Sequence, residues 1–322
     1  LAGFSRRDGA PARGVHDAVG VRALVVQDAK QMVALVSCDL LIVDERLFAA
    51  VQRRLAARSP QESPTLFLAA THTHSGPGAY GQTFLEKLSM GHFDPQVFET
   101  LVDQIVETIV HAQSHLEPVR LAYRQGTTQG LVVNRVDPAG GVDPELTVCA
   151  FYDAVTDEPL AIVVNFAAHP TTLGAWNLWL SADYPGVVMR ALEARWPSAT
   201  CLFFAAAVGD QAPVKRGEDF APAQWLGQAL AAQAVALLED VEPTTPQAVF
   251  VRAETIPLPP ARLRLGAVTL PSWLSRWFVD DDATVSLVVV GEVAFQGVPC
   301  DLTAGLGRHL KEAAQTRALK PV

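Results

Sequence analysis

The sequence predicts an α/β fold: a mixed β-sheet core with helices packed on its outer faces. Three observations predict it. Short apolar runs bounded by Gly, Pro, Asn or Asp recur along most of the 322 residues, with helix-patterned segments between them. Apolar residues make up 49% of the chain and charged residues 18%, which supplies a core and excludes a disordered chain. No internal repeat, low-complexity tract or clear linker divides the chain, so one domain is expected over residues 1–322. The abrupt start at Leu1-Ala2-Gly3-Phe4 reads like the interior of a domain.

Residues 1–16, with Gly9, Pro11 and Gly14, read as loop. Residues 21–27 and 32–38 read as strands split by an Asp28-Ala29-Lys30 turn. Asp44 then caps a helix to about Arg58, with Phe48, Val51 and Leu55 on one face. Leu66-Phe67-Leu68-Ala69-Ala70 is a strand. Asp94-Pro95 opens a long helix, because Asp accepts from free N–H groups and Pro needs none at the first position. Its stripe is Phe98, Leu101, Val102, Ile105 and Ile109. His111 and His115 stand at i and i+4, but nothing nearby completes a metal site, so they read as ordinary helix residues.

Strands are expected over residues 119–123, 146–152, 160–166, 201–208 and 248–256, and helices from about Ser181 to Trp196 and Pro222 to Leu238. Pro257-Leu258-Pro259-Pro260 cannot lie in a central strand. Residues 270–278, with Trp273, Trp277 and Phe278, read as a hydrophobic helix or a lipid-facing flap. Residues 285–290 and 293–295 form a hairpin about Gly291-Glu292, and Asp301 is a plausible N-cap for a helix over residues 302–315.

The net charge of −9, without a basic patch, argues against nucleic acid as a partner. No apolar run reaches the ~18–20 residues of a spanning helix. No signal peptide is visible, so secretion and the cytoplasm are both compatible with this chain. Cys38, Cys149 and Cys201 sit in strand-like runs and read as buried free thiols.

The chemistry gathers at strand ends. Thr71-His72-Thr73-His74-Ser75-Gly76-Pro77-Gly78 follows one strand and delivers two imidazoles at i and i+2. His169-Pro170 follows a second strand, and Asp301 precedes the last helix. Two or three imidazoles with a carboxylate form a common zinc set.

Thr71–Gly78 resembles the signature of the neutral/alkaline (non-lysosomal) ceramidase family. Further motifs agree in order: Asn134-Arg135, Asn165–Thr171, Ser181–Gly186, Gly209-Asp210-Gln211-Ala212-Pro213, and Gly297–Asp301 ahead of Gly307-Arg308. The resemblance implies a ceramidase-like catalytic domain that hydrolyses the amide of a ceramide-like lipid to a sphingoid base and a fatty acid. It implies one Zn2+ held by His72, His169 and Asp301, with His74 and Arg135 donating to the substrate oxyanion. The substrate is then a small N-acyl amide or lipid.

The chain departs from the family at three points. Ala212 stands where the family has serine, Asp301 where it has glutamate, and Cys300 where it has glycine. Cys300 competes as a metal ligand, and Glu292 is an alternative acid ligand. The family's tyrosine ligand lies beyond the matched stretch, so the domain is expected to be incomplete at both ends. These departures leave a second reading: a metal- or lipid-binding relative with impaired catalysis.

Overall fold

The computed structural model describes residues 1–60, 62–259, 264–265, 268–269 and 282–322. The tryptophan-rich stretch at 270–278 lies outside the described residues. In chain order the elements are β1 (Gly14–Val15), β2 (Val21–Gln27), β3 (Met32–Cys38), α1 (Glu45–Arg58), β4 (Thr65–Ala70), α2 (Phe84–Met90) and α3 (Pro95–Gln113). Next come β5 (Val119–Thr127), β6 (Val132–Asn134), β7 (Glu145–Asp153), β8 (Pro159–Phe166), β9 (Trp179–Leu180), α4 (Asp183–Arg195), β10 (Thr200–Ala205), β11 (Gln211–Pro213) and α5 (Ala221–Leu238). The chain finishes with β12 (Val249–Pro257), β13 (Arg264–Leu265), β14 (Val268–Thr269), β15 (Asp282–Val290), β16 (Val293–Gly297), α6 (Ala304–Gln315) and β17 (Lys320–Pro321).

The α/β expectation is met, with the strands divided among several sheets. One sheet has the order β2-β3-β4, and a second has the order β10-β8-β7-β5. Both are mixed: β3 pairs parallel to β4 and β8 parallel to β10, while the other ladders are antiparallel. Their central strands, β3, β7 and β8, are largely apolar on both faces, as strands covered on both sides must be. In β3, Ala34, Val36 and Cys38 pack outward against α1 and α3, while Val33 and Leu35 face inward. In β8, Ile162, Val164 and Phe166 pack under α4 and α5, while Ala161 and Val163 face inward. The inward faces share one core, crossed by a hydrogen bond from Ser37 Oγ to the Phe203 carbonyl at 2.7 Å. Helices, sheet, sheet and helices therefore stack as four layers.

A third sheet, β12-β15-β16-β17, adds Val249, Val288, Val290, Val293 and Phe295 to that central core. Its edge strand β12 ends at Pro257, where a missing N–H costs no ladder bond. Gly291 turns the β15–β16 hairpin with φ 60°.

Local signals explain the helix starts. The Asp44 side chain accepts from Leu47 N, and the Asp94 side chain accepts from Gln96 N ahead of Pro95. The final helix corrects the reading of Asp301: the cap is Thr303, whose hydroxyl accepts from Leu306 N, and the helix begins at Ala304. Asp301 is thus released from a capping role. No helix among the described residues is long and apolar enough to cross a membrane.

Candidate metal centre

The C-terminal ends of the parallel strands β4, β8 and β10 carry the site, the usual place for one in α/β sheets. The β4 ladder stops at Ala70, and Thr71 N closes it onto the Cys38 carbonyl at 2.8 Å. His72 then turns into the left-handed region with φ 64°. This conformation is uncommon for histidine and clusters at functional sites. The sequence reading placed His72 and His74 side by side through strand alternation. They do converge, with ring centroids 5.0 Å apart, but a turn past the strand end brings them together.

Each imidazole is oriented by a backbone carbonyl. His72 Nδ1 faces the Leu41 carbonyl at 2.7 Å, His74 Nδ1 the Gly3 carbonyl at 2.9 Å, and His169 Nδ1 the Val208 carbonyl at 3.3 Å. A carbonyl only accepts, so each Nδ1 carries the proton, and a ring with no second proton keeps a lone pair on Nε2. The three lone pairs meet. Nε2 of His169 lies 2.9 Å from that of His72 and 2.7 Å from that of His74.

Three convergent lone pairs repel one another unless a cation sits among them. Two nitrogens bound tetrahedrally at ~2.0–2.1 Å stand roughly 3.3 Å apart, close to this spacing. His72, His74 and His169 are accordingly a group able to hold a metal ion, and the donor set fits one.

Electrostatics agree with that reading. Burial, then the neighbouring imidazoles, pushes the His74 pKa down to about 2. Burial, then His72 and Arg135, pushes that of His169 down to about 4. Both rings stay neutral at neutral pH.

Asp301 adds the anion. Its Oδ2 lies 3.5 Å from His72 Nε2, and the interaction with His72 leads the causes that lower its pKa. Its side chain is 48% exposed, so it stands at the open side of the cluster. The backbone beneath it is fixed by Gly209, whose N–H donates to the Leu302 carbonyl at 2.7 Å. A Cβ on Gly209 would lie 2.4 Å from the Asp301 carbonyl oxygen, so glycine is required there.

Arg135 grips the same glycine. Its Nε and Nη2 donate to the Gly209 carbonyl at 3.1 and 2.9 Å. It is close enough to depress the pKa values of both His169 and Asp301. Asp210 links these pieces by accepting from Asn134 Nδ2 at 3.0 Å and from Ala304 N at 2.8 Å.

The structure thus brings His72, His74, His169, Asp301 and Arg135 to one place. It revises one role. The resemblance made His74 a donor to the oxyanion, yet its neutral ring has its proton on Nδ1, so Nε2 accepts. Glu292 sits elsewhere, in the exposed β15–β16 turn, paired with Lys320 at 2.8 Å. Cys300 is exposed and stands outside the histidine group. His111 and His115 also stand outside it: His115 Nδ1 donates to the His111 carbonyl at 2.8 Å.

Sequence reasoning missed the carbonyls of Gly3, Leu41 and Val208, because every residue type offers the same carbonyl. It also missed Arg7, which is buried under the His74 loop.

Comparisons with known proteins place this geometry in a family. A neutral ceramidase of Pseudomonas aeruginosa is 32% identical over 188 residues, which are 54% of this chain and 28% of that protein. One from Mycobacterium tuberculosis is 28% identical over 204 residues, 58% of this chain and 32% of that protein. The crystal structure of the P. aeruginosa neutral ceramidase superposes with a TM-score of 0.85 at 22% identity, covering 100% of this chain and 63% of that one. A ceramidase structure described as complexed with C2 superposes at 0.83 and 21% identity, covering 100% of this chain and 64% of that one. The chain therefore spans less than two thirds of these relatives. Residues 1–219 match the family described as neutral/alkaline non-lysosomal ceramidase, N-terminal, and the chain belongs to that family.

Proposed function

We propose that this chain carries the active site of a zinc-dependent amidohydrolase. Its substrate is the N-acyl amide of a ceramide-like lipid, cleaved to a sphingoid base and a fatty acid, and residues 1–322 belong to one catalytic domain. The observation that carries this reading is the convergence of three Nε2 lone pairs beside a carboxylate. Nitrogen and oxygen donors without sulfur suit zinc, and the relatives' names supply the substrate class.

In this reading His72, His169 and Asp301 would hold the ion. When bound, it would supply a Lewis acid able to polarise the amide carbonyl and acidify water. His74 Nε2, with a free lone pair at the same point, would accept a hydrogen bond from the water and aim it at the amide carbonyl carbon; as the C–N bond breaks, the water's proton leaves on the amine nitrogen. Arg135, held by the Gly209 carbonyl, offers its charge to the amide oxygen as negative charge builds there. Water and amide are consumed, and carboxylate and amine leave.

Ala212 favours the second reading, a relative that binds metal or lipid without turnover, because the hydroxyl of the family's serine is missing. One experiment separates them: metal analysis of the purified chain alongside hydrolysis of a short-chain N-acyl sphingoid amide. The expected result is one Zn2+ per chain and measurable turnover. Metal without turnover supports the second reading. Absence of stoichiometric metal from protein refolded or purified with Zn2+ overturns both.

A further inference from the structure

Arg7 is an unusual residue to bury. Only 6% of its surface is exposed, and its hydrogen-bond acceptors are all neutral. Nη1 donates to the Ala2 carbonyl at 2.7 Å and to the His74 carbonyl at 2.6 Å. Nη2 reaches Ser75 Oγ and the Gly174 carbonyl, each at 3.4 Å. Its Nε is buried and has no partner among the described residues. A guanidinium taken out of water without a carboxylate is costly. Its contacts explain where it sits: the planar fork spans two backbone segments at once, which a lysine point charge does less well.

Those two segments are the N-terminal strip and the histidine loop. The strip meets His74 through Gly3 and Phe4. Gly3 accepts from His74 Nδ1 at 2.9 Å, and a Cβ on Gly3 would come within 2.6 Å of His74 Cα. The Phe4 ring centroid is 5.0 Å from that of His74, and the Arg7 guanidinium lies 4.9 Å from the Phe4 centroid. His72 and His169 take their Nδ1 acceptors from loops at the ends of core strands. His74 alone takes its acceptor from the first residues of the chain.

We propose that Arg7 is a positioning residue of the centre: by clasping the strip to the His74 carbonyl it holds the Gly3 carbonyl on His74 Nδ1 and keeps the His74 Nε2 lone pair on the cluster. That Arg7 serves a metal centre rests on the function proposed above; that it sets the tautomer of one ring rests on geometry alone.

The test reads the tautomer directly, in metal-free protein labelled with 15N at histidine. Two-bond 15N–1H correlations are assigned through His72→Gln, His74→Gln and His169→Gln. All three rings are expected as the Nδ1–H tautomer. In Arg7→Met, which keeps an apolar stem beside Phe4 but removes the donors, His74 alone is expected to move toward an Nε2–H mixture. Zn2+ affinity should stay close to that of the wild type, because the proposed function gives the ion to His72, His169 and Asp301, while turnover of the zinc-loaded protein should fall, with Arg7→Lys between the two. A folded Arg7→Met protein whose His74 tautomer is unchanged overturns the proposal. Should that variant fail to fold, Arg7→Lys and Gly3→Ala are read by the same criterion. Wild-type protein with the expected tautomers but no Zn2+ binding refutes the metal-centred function and leaves the clasp standing.

Discussion

At the scale of single residues, the proposed function divides the cluster into groups that hold an ion and groups that work beside it. His72→Ala and His169→Ala each remove a proposed ligand and are expected to lose metal, measured as Zn2+ per chain, because the remaining donors make an incomplete cage. His74→Ala should keep most of the metal and lower kcat by about 10²-fold, the usual cost of a misplaced reactant. Loss of metal from His74→Ala equal to that from His72→Ala would make His74 a ligand instead. Gly209 offers a sharper test, because it touches no reacting atom. A methyl there would lie 2.4 Å from the Asp301 carbonyl and 2.8 Å from that of Leu302. The backbone must then shift under both Asp301 and Arg135. Gly209→Ala is expected to weaken Zn2+ binding about tenfold, or ~1.4 kcal/mol, in an isothermal titration.

At the scale of elements, the end of β3 supports the histidine loop through Asp39, a buried carboxylate. It accepts from Gly20 N at 3.0 Å and Thr71 Oγ1 at 3.2 Å, and it pairs with Arg22 at 3.4 Å. Burial dominates these contacts and raises its pKa from 3.8 to about 6. A carboxyl with a raised folded pKa gives stability that is full below the unfolded pKa and lost as pH rises through the folded one. The loss between pH 4 and 6 amounts to about 3 kcal/mol. Asp39→Asn should remove that slope, so urea unfolding at pH 4 and pH 7 should show a smaller difference in the variant than in the wild type. The sequence made most elements legible for similar local reasons: Val21–Gln27 and Met32–Cys38 follow the apolar runs residue for residue. α2 was missed because seven residues give too short a stripe, although Thr83 and Glu86 form a capping box that marks its start. The division of the strands among sheets was not legible. Two-faced strands such as β3 and β8 carry the same apolar pattern whichever sheet they join. Within the site, side chains were readable as motifs, whereas the carbonyls that fix their tautomers depend on the fold alone.

At the scale of the whole molecule, the proposed donors are His72 and His169, at the ends of two different sheets, and Asp301, ahead of the final helix. An ion held by all of them links segments that the hydrophobic core joins only at a distance. It binds the folded chain and not the unfolded one, so it should stabilise by RT ln(1 + [L]/Kd), about 2.7 kcal/mol at a hundredfold excess over Kd. For a domain of this size that is a rise of roughly 5 °C in Tm. Stripping metal with a chelator should reverse the rise in wild type and change nothing in His169→Ala. Phe67 supplies the control. It lies in the central core, with ring centroids 5.7 Å from Phe204 and 6.4 Å from Phe295 across three sheets. Phe67→Ala should cost about 3–5 kcal/mol through the cavity it leaves. It removes no donor, so the chelator-induced shift should survive almost unchanged on the lower baseline. A chelator shift that vanishes in Phe67→Ala would mean that the ion acts through core packing, and a shift that persists in His169→Ala would place the ion at some other site.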